Sequence, residues 1–276
     1  MGILLGGLTS LLYGVGDFLG GEGAKRAPAA AIVLWAGVVS FPLVAVVALV
    51  NGGSASGVDL AIGAAAGTAG ALGLVLLFAG LGKGQAAAVA PAAGAIAGAL
   101  PLAVAVLAGE RPSVLAWVGL AIAIPAIVLS SWVAEPGDVP FGGVWYGVVS
   151  GLGFGGWTVI INMADESAEL LPLITSRAAT MVVVLALGGL GVWKVVGFGA
   201  VPKGIVAGNG LLDVSANVTL LLGLHVGSLA LVAVSASLYP AVTVAMARIV
   251  NHEQLASRQI VGIGLTLVAL AAIALG

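Results

Sequence analysis

The sequence predicts an all-α integral membrane protein of about ten transmembrane helices, arranged as two inverted five-helix repeats. Three observations predict this fold: an apolar composition, apolar stretches of membrane-spanning length, and an internal repeat. Of the 276 residues, 61% are hydrophobic and only 7% are charged, whereas ordinary globular domains carry roughly 25% charged residues. So few charged side chains cannot cover a water-soluble surface, which indicates a chain embedded in a membrane.

The same composition narrows the class of function. The nine basic and eleven acidic residues are scattered along the chain, so no basic patch predicts binding to nucleic acid. The chain has no cysteine, and its two histidines, His225 and His252, are too few and too far apart in sequence to predict a metal cluster. We therefore predict no metal, no cofactor and no nucleic-acid partner, and a monomer or homodimer in contact with the lipid bilayer and a small-molecule substrate.

Ten apolar stretches each approach the roughly 20 residues that a helix needs to cross about 30 Å of hydrocarbon. The breaks between these stretches hold most of the charged residues, such as Lys25 and Arg26 after the first. The predicted spans are 3–21, 29–50, 58–79, 86–107, 114–133, 143–163, 170–193, 203–222, 229–250 and 258–275. This pattern predicts a multi-pass protein of the cell (cytoplasmic) membrane.

Proline and closely spaced glycine mark several of these spans. Glycines four residues apart allow helix backbones to approach closely in a membrane, as at Gly63 and Gly67. Prolines inside a span remove a backbone donor and can kink or break the helix. They are Pro42, Pro91, Pro101, Pro125 and Pro240. Kinked helices leave room for a cavity between them.

An internal repeat relates the stretch 80–120 to the stretch 223–263 at a constant shift of 143 residues. The matched pairs include Gly80 with Gly223, Gly84 with Gly227, Glu110 with Glu253, and Gly119 with Gly262. The first spans of the two halves match more weakly, with Tyr13-Gly14 facing Phe154-Gly155. Each half, 1–135 and 140–276, holds five spans, and an odd number forces the second half to enter the membrane from the opposite side. Inverted repeats of this kind are typical of secondary transporters.

These elements carry a family resemblance. The aromatic-Gly pairs of the first spans, Arg177 in a second span, and the two runs from glycine through proline to glutamate (84–110 and 227–253) resemble the EamA-type proteins of the drug/metabolite transporter (DMT) superfamily. The resemblance covers nearly the whole chain, although Trp35-Ala36 stands where the first half would have arginine and His252 stands where glycine would precede Glu253. It implies transport of metabolites, including metabolite efflux, without naming a substrate.

Two signals in the sequence disagree about the side of the membrane on which the termini lie. The connections after odd-numbered spans hold most of the lysine and arginine, which by the positive-inside rule places them in the cytosol and both termini outside. The family resemblance implies cytosolic termini instead.

Three ionisable residues fall well within spans: Asp17, Arg177 and Asp213. A charge at membrane depth costs at least about 2.5–3.5 kcal/mol, so such a residue normally faces a cavity or a partner. Asn209 and Asn217 lie four residues before and after Asp213 and form one polar stripe with it. The predicted substrate-binding residues are Asp213, Asn217, Asn209, Arg177, Asp17, Tyr13, Trp157 and Tyr239.

Each of these residues also has an interpretation without a substrate. Arg177 and a carboxylate can form a buried pair that only fixes helix packing. Asp17 lies near the end of its span and can be an interfacial carboxylate. Trp157 and Tyr239 can serve as packing residues or interface anchors rather than stack on a ligand.

The predicted function is a secondary transporter that moves a small metabolite, amino-acid-like or drug-like, by alternating access, with proton coupling through Asp17 or Asp213 as one hypothesis. If Arg177 attracts a carboxylate and Asp213 an amine, a zwitterionic substrate fits best. No Gly-x-x-x-x-Gly-Lys-Ser/Thr loop is present, so the chain alone is not expected to use ATP. We predict no catalytic residue. The alternatives are a membrane-embedded enzyme acting on a lipid-linked substrate and a structural or assembly subunit.

Overall fold

A computed structural model describes residues 1–109, 113–130, 143–227, 229–251 and 257–275. Within these ranges the chain forms eleven α-helices, two short 3-10 turns at Glu166–Ala168 and Phe198–Ala200, and no β-strand. The helices are α1 (Gly2–Ala24), α2 (Ala29–Asn51), α3 (Gly57–Leu81), α4 (Ala86–Leu107), α5 (Val114–Ser130), α6 (Val144–Ile161), α7 (Pro172–Gly189), α8 (Lys203–His225), α9 (Leu229–Ala236), α10 (Tyr239–Asn251) and α11 (Ser257–Leu275).

Seven of the helices in the described ranges are long and apolar enough to cross a membrane: α1 to α4 and α6 to α8. Large apolar side chains on their outer faces, such as Leu4, Val46, Leu49 and Val182, are more than half exposed, as expected where lipid rather than water surrounds the protein. In hydrocarbon a helix satisfies its own backbone hydrogen bonds. The prediction of an all-α membrane protein is confirmed at this level.

The predicted span 229–250 is divided into two helices. α9 ends at Ala236 and α10 begins at Tyr239, so the prediction of one continuous helix was wrong here. Pro240 has no N–H to donate to the carbonyl of Ala236, and its ring would collide with that carbonyl in a continuous helix. The helices that keep an internal proline without interruption contain Pro42, Pro91, Pro101 and Pro125.

Glycines permit the closest helix contacts. A Cβ atom added at Gly67 of α3 would lie 2.0 Å from the carbonyl oxygen of Ser176 in α7, and one at Gly147 of α6 would lie 2.4 Å from that of Val89 in α4. Only hydrogen fits at such positions, so the two backbones touch directly. α1 likewise packs on α8, α3 also on α6, and α5 on α11.

Two connections dock against each other at one end of the bundle. The amide of Ser54, between α2 and α3, donates to the carbonyl of Ser167, between α6 and α7, at 2.7 Å. The Asp59 carboxylate caps α3 through Ser56 and also accepts from the amide of Asp165 at 2.9 Å. Hydrogen bonds from Ser167 hold the pKa of the Asp165 carboxyl below its ordinary value, so the docked turn carries a charged Asp165 at neutral pH.

His225 is the last residue of α8. Its Nδ1 atom lies 3.7 Å from the Glu169 carboxylate, at the same end of the bundle as the docked connections. Glu110, Glu253 and His252 lie outside the described residues.

Candidate functional site

A cavity lies at the centre of the bundle, near the middle of α1, α3 and α8. Its volume, measured as the space open to the centres of water-sized molecules, is about 70 Å³, and by that measure one water needs roughly 10–15 Å³. The cavity is bordered by α1, α3, α4, α6, α7, α8, α9 and α10, and by Ser237 between the last two helices. The lining residues are Tyr13, Asp17, Gly70, Leu74, Ala97, Phe154, Trp157, Thr158, Ser176, Arg177, Thr180, Asp213, Asn217, Leu220, Ala233, Ala236, Ser237 and Tyr239.

A chain of hydrogen bonds crosses one wall of this cavity. The Tyr13 hydroxyl donates to Oδ1 of Asn217 at 2.8 Å. Nδ2 of Asn217 donates to the Asp213 backbone carbonyl at 2.8 Å and to its carboxylate at 3.2 Å. The Arg177 guanidinium donates to the same Asp213 carboxylate. Residues of α1, α7 and α8 are thereby joined in one network.

The ion pair between Arg177 and Asp213 lies inside the bundle, where each residue is 7% exposed. A charged group in such a position is tolerated when an opposite charge and hydrogen bonds compensate it. The pair therefore neutralises both charges within the protein, and it ties α7 to α8 across the cavity.

Asp17 and Tyr239 differ from the other polar residues of the lining. They are 5% and 4% exposed, and both line the cavity. In the part of the chain that the structure describes, no residue hydrogen-bonds to the buried Tyr239 hydroxyl, and none hydrogen-bonds to or forms an ion pair with the Asp17 carboxylate. Buried polar groups in proteins are nearly always paired, so this corner of the cavity has unused capacity for a ligand.

Aromatic rings surround that corner. Tyr239 makes edge-to-face contacts with Tyr13 and with Phe154, each with ring centroids 6.3 Å apart. Trp157 also lines the cavity, and its indole N–H donates to the Ser176 hydroxyl at 2.9 Å. The rings give the cavity an apolar, polarisable surface.

Seven of the eight predicted site residues lie along this cavity: Tyr13, Asp17, Trp157, Arg177, Asp213, Asn217 and Tyr239. Asn209 is not among the lining residues, because its Nδ2 donates to the carbonyl of Gly16 at 2.8 Å and holds α8 against α1. Of the polar stripe on α8, Asp213 and Asn217 therefore line the cavity, whereas Asn209 contacts α1.

The sequence interpretation did not include several lining residues among its site candidates, notably Gly70, Leu74, Phe154 and Thr158. The internal repeat is the signal that relates them to the predicted ones. The pairs that line the cavity are Gly70 with Asp213, Leu74 with Asn217, Phe154 with Tyr13, and Thr158 with Asp17. In all four pairs the residue on α1 or α8 is more polar than its counterpart on α6 or α3, so the α1 and α8 side of the cavity is the more polar.

Comparison with known proteins bears on the fold alone. No protein-family profile and no curated protein matches the chain. A solved crystal structure of a protein is similar to this chain, with a TM-score of 0.66 and 17% sequence identity over 99% of this chain and 96% of the other. The same fold therefore occurs in a solved structure across nearly the full length of both chains.

Proposed function

We propose that this chain is a secondary transporter that moves a small metabolite across the cytoplasmic membrane by alternating access. The observation that carries the proposal is the central cavity, which places Asp17 and the Arg177–Asp213 pair near the middle of apolar helices. Ionisable residues at membrane depth are costly and typically mark a substrate or ion pathway. A subunit with a purely structural role has no need of such a cavity.

Two inverted five-helix halves are part of the proposal, and the packing of the helices supports them. The helices α1, α2 and α3 are matched with α6, α7 and α8, respectively. In this matching, the contact of α1 with α8 corresponds to the contact of α6 with α3. The contact of α2 with α8 likewise corresponds to the contact of α7 with α3. Gly94 of α4 approaches the carbonyl of Ser237, and these two residues are equivalent at the shift of 143. Equivalent residues in contact are expected at a two-fold axis between halves.

In this proposal the chain belongs to the EamA-type proteins of the DMT superfamily, and α4 corresponds to the broken pair α9 and α10. The docked connections around Ser54 and Ser167 would close one end of the cavity. Rocking of one half against the other would separate them and close the opposite end, as in other transporters built from repeats.

Purified protein in lipid vesicles tests the proposal. The vesicles are incubated with an isotopically labelled extract of cell metabolites, and the interior and exterior are analysed by mass spectrometry. We expect at least one compound to equilibrate faster across the membrane than in protein-free vesicles, with its total amount conserved. Conversion of a lipid or a metabolite into a product would favour the membrane-embedded enzyme, and vesicles identical to the protein-free control would contradict transport.

The same vesicles test proton coupling. If Asp17 or Asp213 exchanges protons with the substrate, a gradient of pH across the membrane drives accumulation of the transported compound. Equal transport with the gradient intact and after its collapse by an ionophore would rule out coupling and favour facilitated diffusion.

A further inference from the structure

The hydrogen bonds around the cavity separate satisfied groups from unsatisfied ones. Tyr13, Asn217, Asp213 and Arg177 bond to one another in sequence. The hydroxyls of Thr180, Thr158 and Ser237 also have partners, since they donate to backbone carbonyls at 2.9, 3.0 and 2.7 Å, respectively. The Asp17 carboxylate and the Tyr239 hydroxyl are left without a described partner.

The charges of the lining do not balance. Among the described residues of the lining, those of Asp, Glu, Lys, Arg or His type are Asp17, Asp213 and Arg177, so together they have one excess negative charge when all three are ionised. Because Arg177 and Asp213 neutralise each other, the excess belongs to Asp17. An uncompensated charge buried in a protein interior is unfavourable. Asp17 is relieved of it either by a proton or by a bound cation.

The surroundings of Asp17 suit an organic cation. Ring faces of tyrosine, phenylalanine and tryptophan attract ammonium groups, and Tyr13, Phe154, Trp157 and Tyr239 line the same cavity. A phenol oxygen also accepts hydrogen bonds. The Tyr239 hydroxyl can therefore accept a hydrogen bond from an ammonium N–H that is not bonded to Asp17. A carboxylate would instead have to compete with Asp213 for Arg177.

We propose that Asp17 and Tyr239 form an ammonium-binding subsite, and that the cavity takes a monocationic organic amine rather than a zwitterion or an anion. The inference rests on the proposed function for its physiological meaning, because it names the substrate class of the same cavity. It also departs from the zwitterionic substrate that the residue types alone suggest.

Three probes with one aromatic framework and different charge test the subsite: 2-phenylethylamine (cation), phenylalanine (zwitterion) and 3-phenylpropanoate (anion). Calorimetry on the purified full-length protein measures their affinities. We expect the amine to bind at least about tenfold more tightly than the zwitterion, the effect of one charge-assisted hydrogen bond, and the anion not to bind.

Variants locate the subsite. Asp17→Asn should weaken binding of the amine about tenfold or more, and Tyr239→Phe should weaken it several-fold, as expected for a charged and a neutral hydrogen bond. Glu22→Gln is the matched control, because it removes one negative charge from the same helix at a residue outside the cavity, and it should leave the affinity unchanged. Thermal unfolding of each variant shows whether it is folded, and Tyr239→Phe keeps the test valid if Asp17→Asn does not fold.

Preference for the zwitterion or the anion, equal affinity of the folded Asp17→Asn variant for the amine, or failure of the amine to bind would each overturn the inference. The vesicle experiment has separate outcomes. Binding of the amine without movement of any compound would leave the subsite intact and contradict transport, whereas transport of an anion that survives Asp17→Asn would leave transport intact and contradict the subsite.

Discussion

Arg177 and Asp213 are buried residues of different helices, and each depends on the other for compensation of its charge. A buried pair contributes little net stability compared with apolar residues of the same size, whereas loss of one partner leaves a buried charge uncompensated. The pair is therefore expected to show strong coupling between the two positions.

A double-mutant cycle measures this coupling. Asp213→Asn should lower the free energy of unfolding by about 3–5 kcal/mol because Arg177 loses its counter-charge. Adding Arg177→Gln should recover most of that loss. Denaturant titration in detergent provides the values, and simple additivity of the two single effects would show that the residues do not act as a pair.

Flux through the same variants distinguishes packing from recognition. If transport per folded molecule survives in the doubly substituted protein, the pair serves to hold α7 and α8 together. If transport is lost although stability recovers, the charges also act on the substrate, as the sequence-based prediction for Asp213 and Arg177 has it.

The ionisable residues of the site could be predicted from their position within apolar spans. Asp17, Arg177 and Asp213 could be selected from the sequence because a charge within an apolar span is costly wherever the span lies. Their pairing could not be selected, since Arg177 is 36 residues from Asp213 and the sequence does not say which carboxylate it meets. The role of Asn209 in binding the Gly16 carbonyl was hidden for the same reason.

At the scale of elements, glycine determines how closely α3 and α7 approach. The Thr180 hydroxyl donates to the carbonyl of Gly67 at 2.9 Å, and the Gly67 backbone lies directly against Ser176. A methyl group at this position would push the two helices apart and strain that hydrogen bond.

Gly67→Ala should therefore destabilise the protein by about 1–3 kcal/mol, the usual cost of overpacking. Gly7→Ala is the matched control in α1, where an added Cβ meets nothing within 4 Å and alanine has the better helix propensity. It should leave stability unchanged or slightly higher. Thermal unfolding of both variants in detergent compares them, and equal effects would contradict a specific contact between α3 and α7.

At the scale of the whole molecule, the docked connections offer a means to hold one end of the bundle closed. The amide of Ser54 donates to the carbonyl of Ser167 at 2.7 Å, and the Ser167 hydroxyl donates to the carbonyl of Ser54 at 3.4 Å. A disulfide requires Cα atoms about 4.4–6.8 Å apart, so this directly bonded pair is the choice for a crosslink. The chain contains no cysteine, so introduced cysteines react without competition.

Oxidation of the Ser54→Cys, Ser167→Cys double variant should stop most of the flux, and reduction should restore it, because alternating access requires each end to open in turn. Each single variant serves as a control and should be insensitive to the oxidant. Normal flux through a fully crosslinked protein would contradict movement of these connections during transport.

Sidedness of the connections tests the inverted arrangement. Five helices, α2 to α6, separate Arg26 from Glu166, and both residues are exposed in connections. If all five cross the membrane, cysteines at the two positions should react with an impermeant maleimide from opposite sides of sealed vesicles. Reaction from the same side would exclude the inverted repeat.

The sequence by itself determined that this chain is helical and embedded in a membrane, because apolar stretches of membrane-spanning length are a local property of the chain. It also identified most of the ionisable and aromatic residues that border the cavity, since each is unusual within its own span. The tertiary structure decided which helices are neighbours and that Pro240 divides a predicted span. It also decided that Arg177 is neutralised by Asp213, while Asp17 has no partner among the residues that the structure describes. Those features depend on distances between side chains far apart in sequence, on which local hydropathy and periodicity have no bearing.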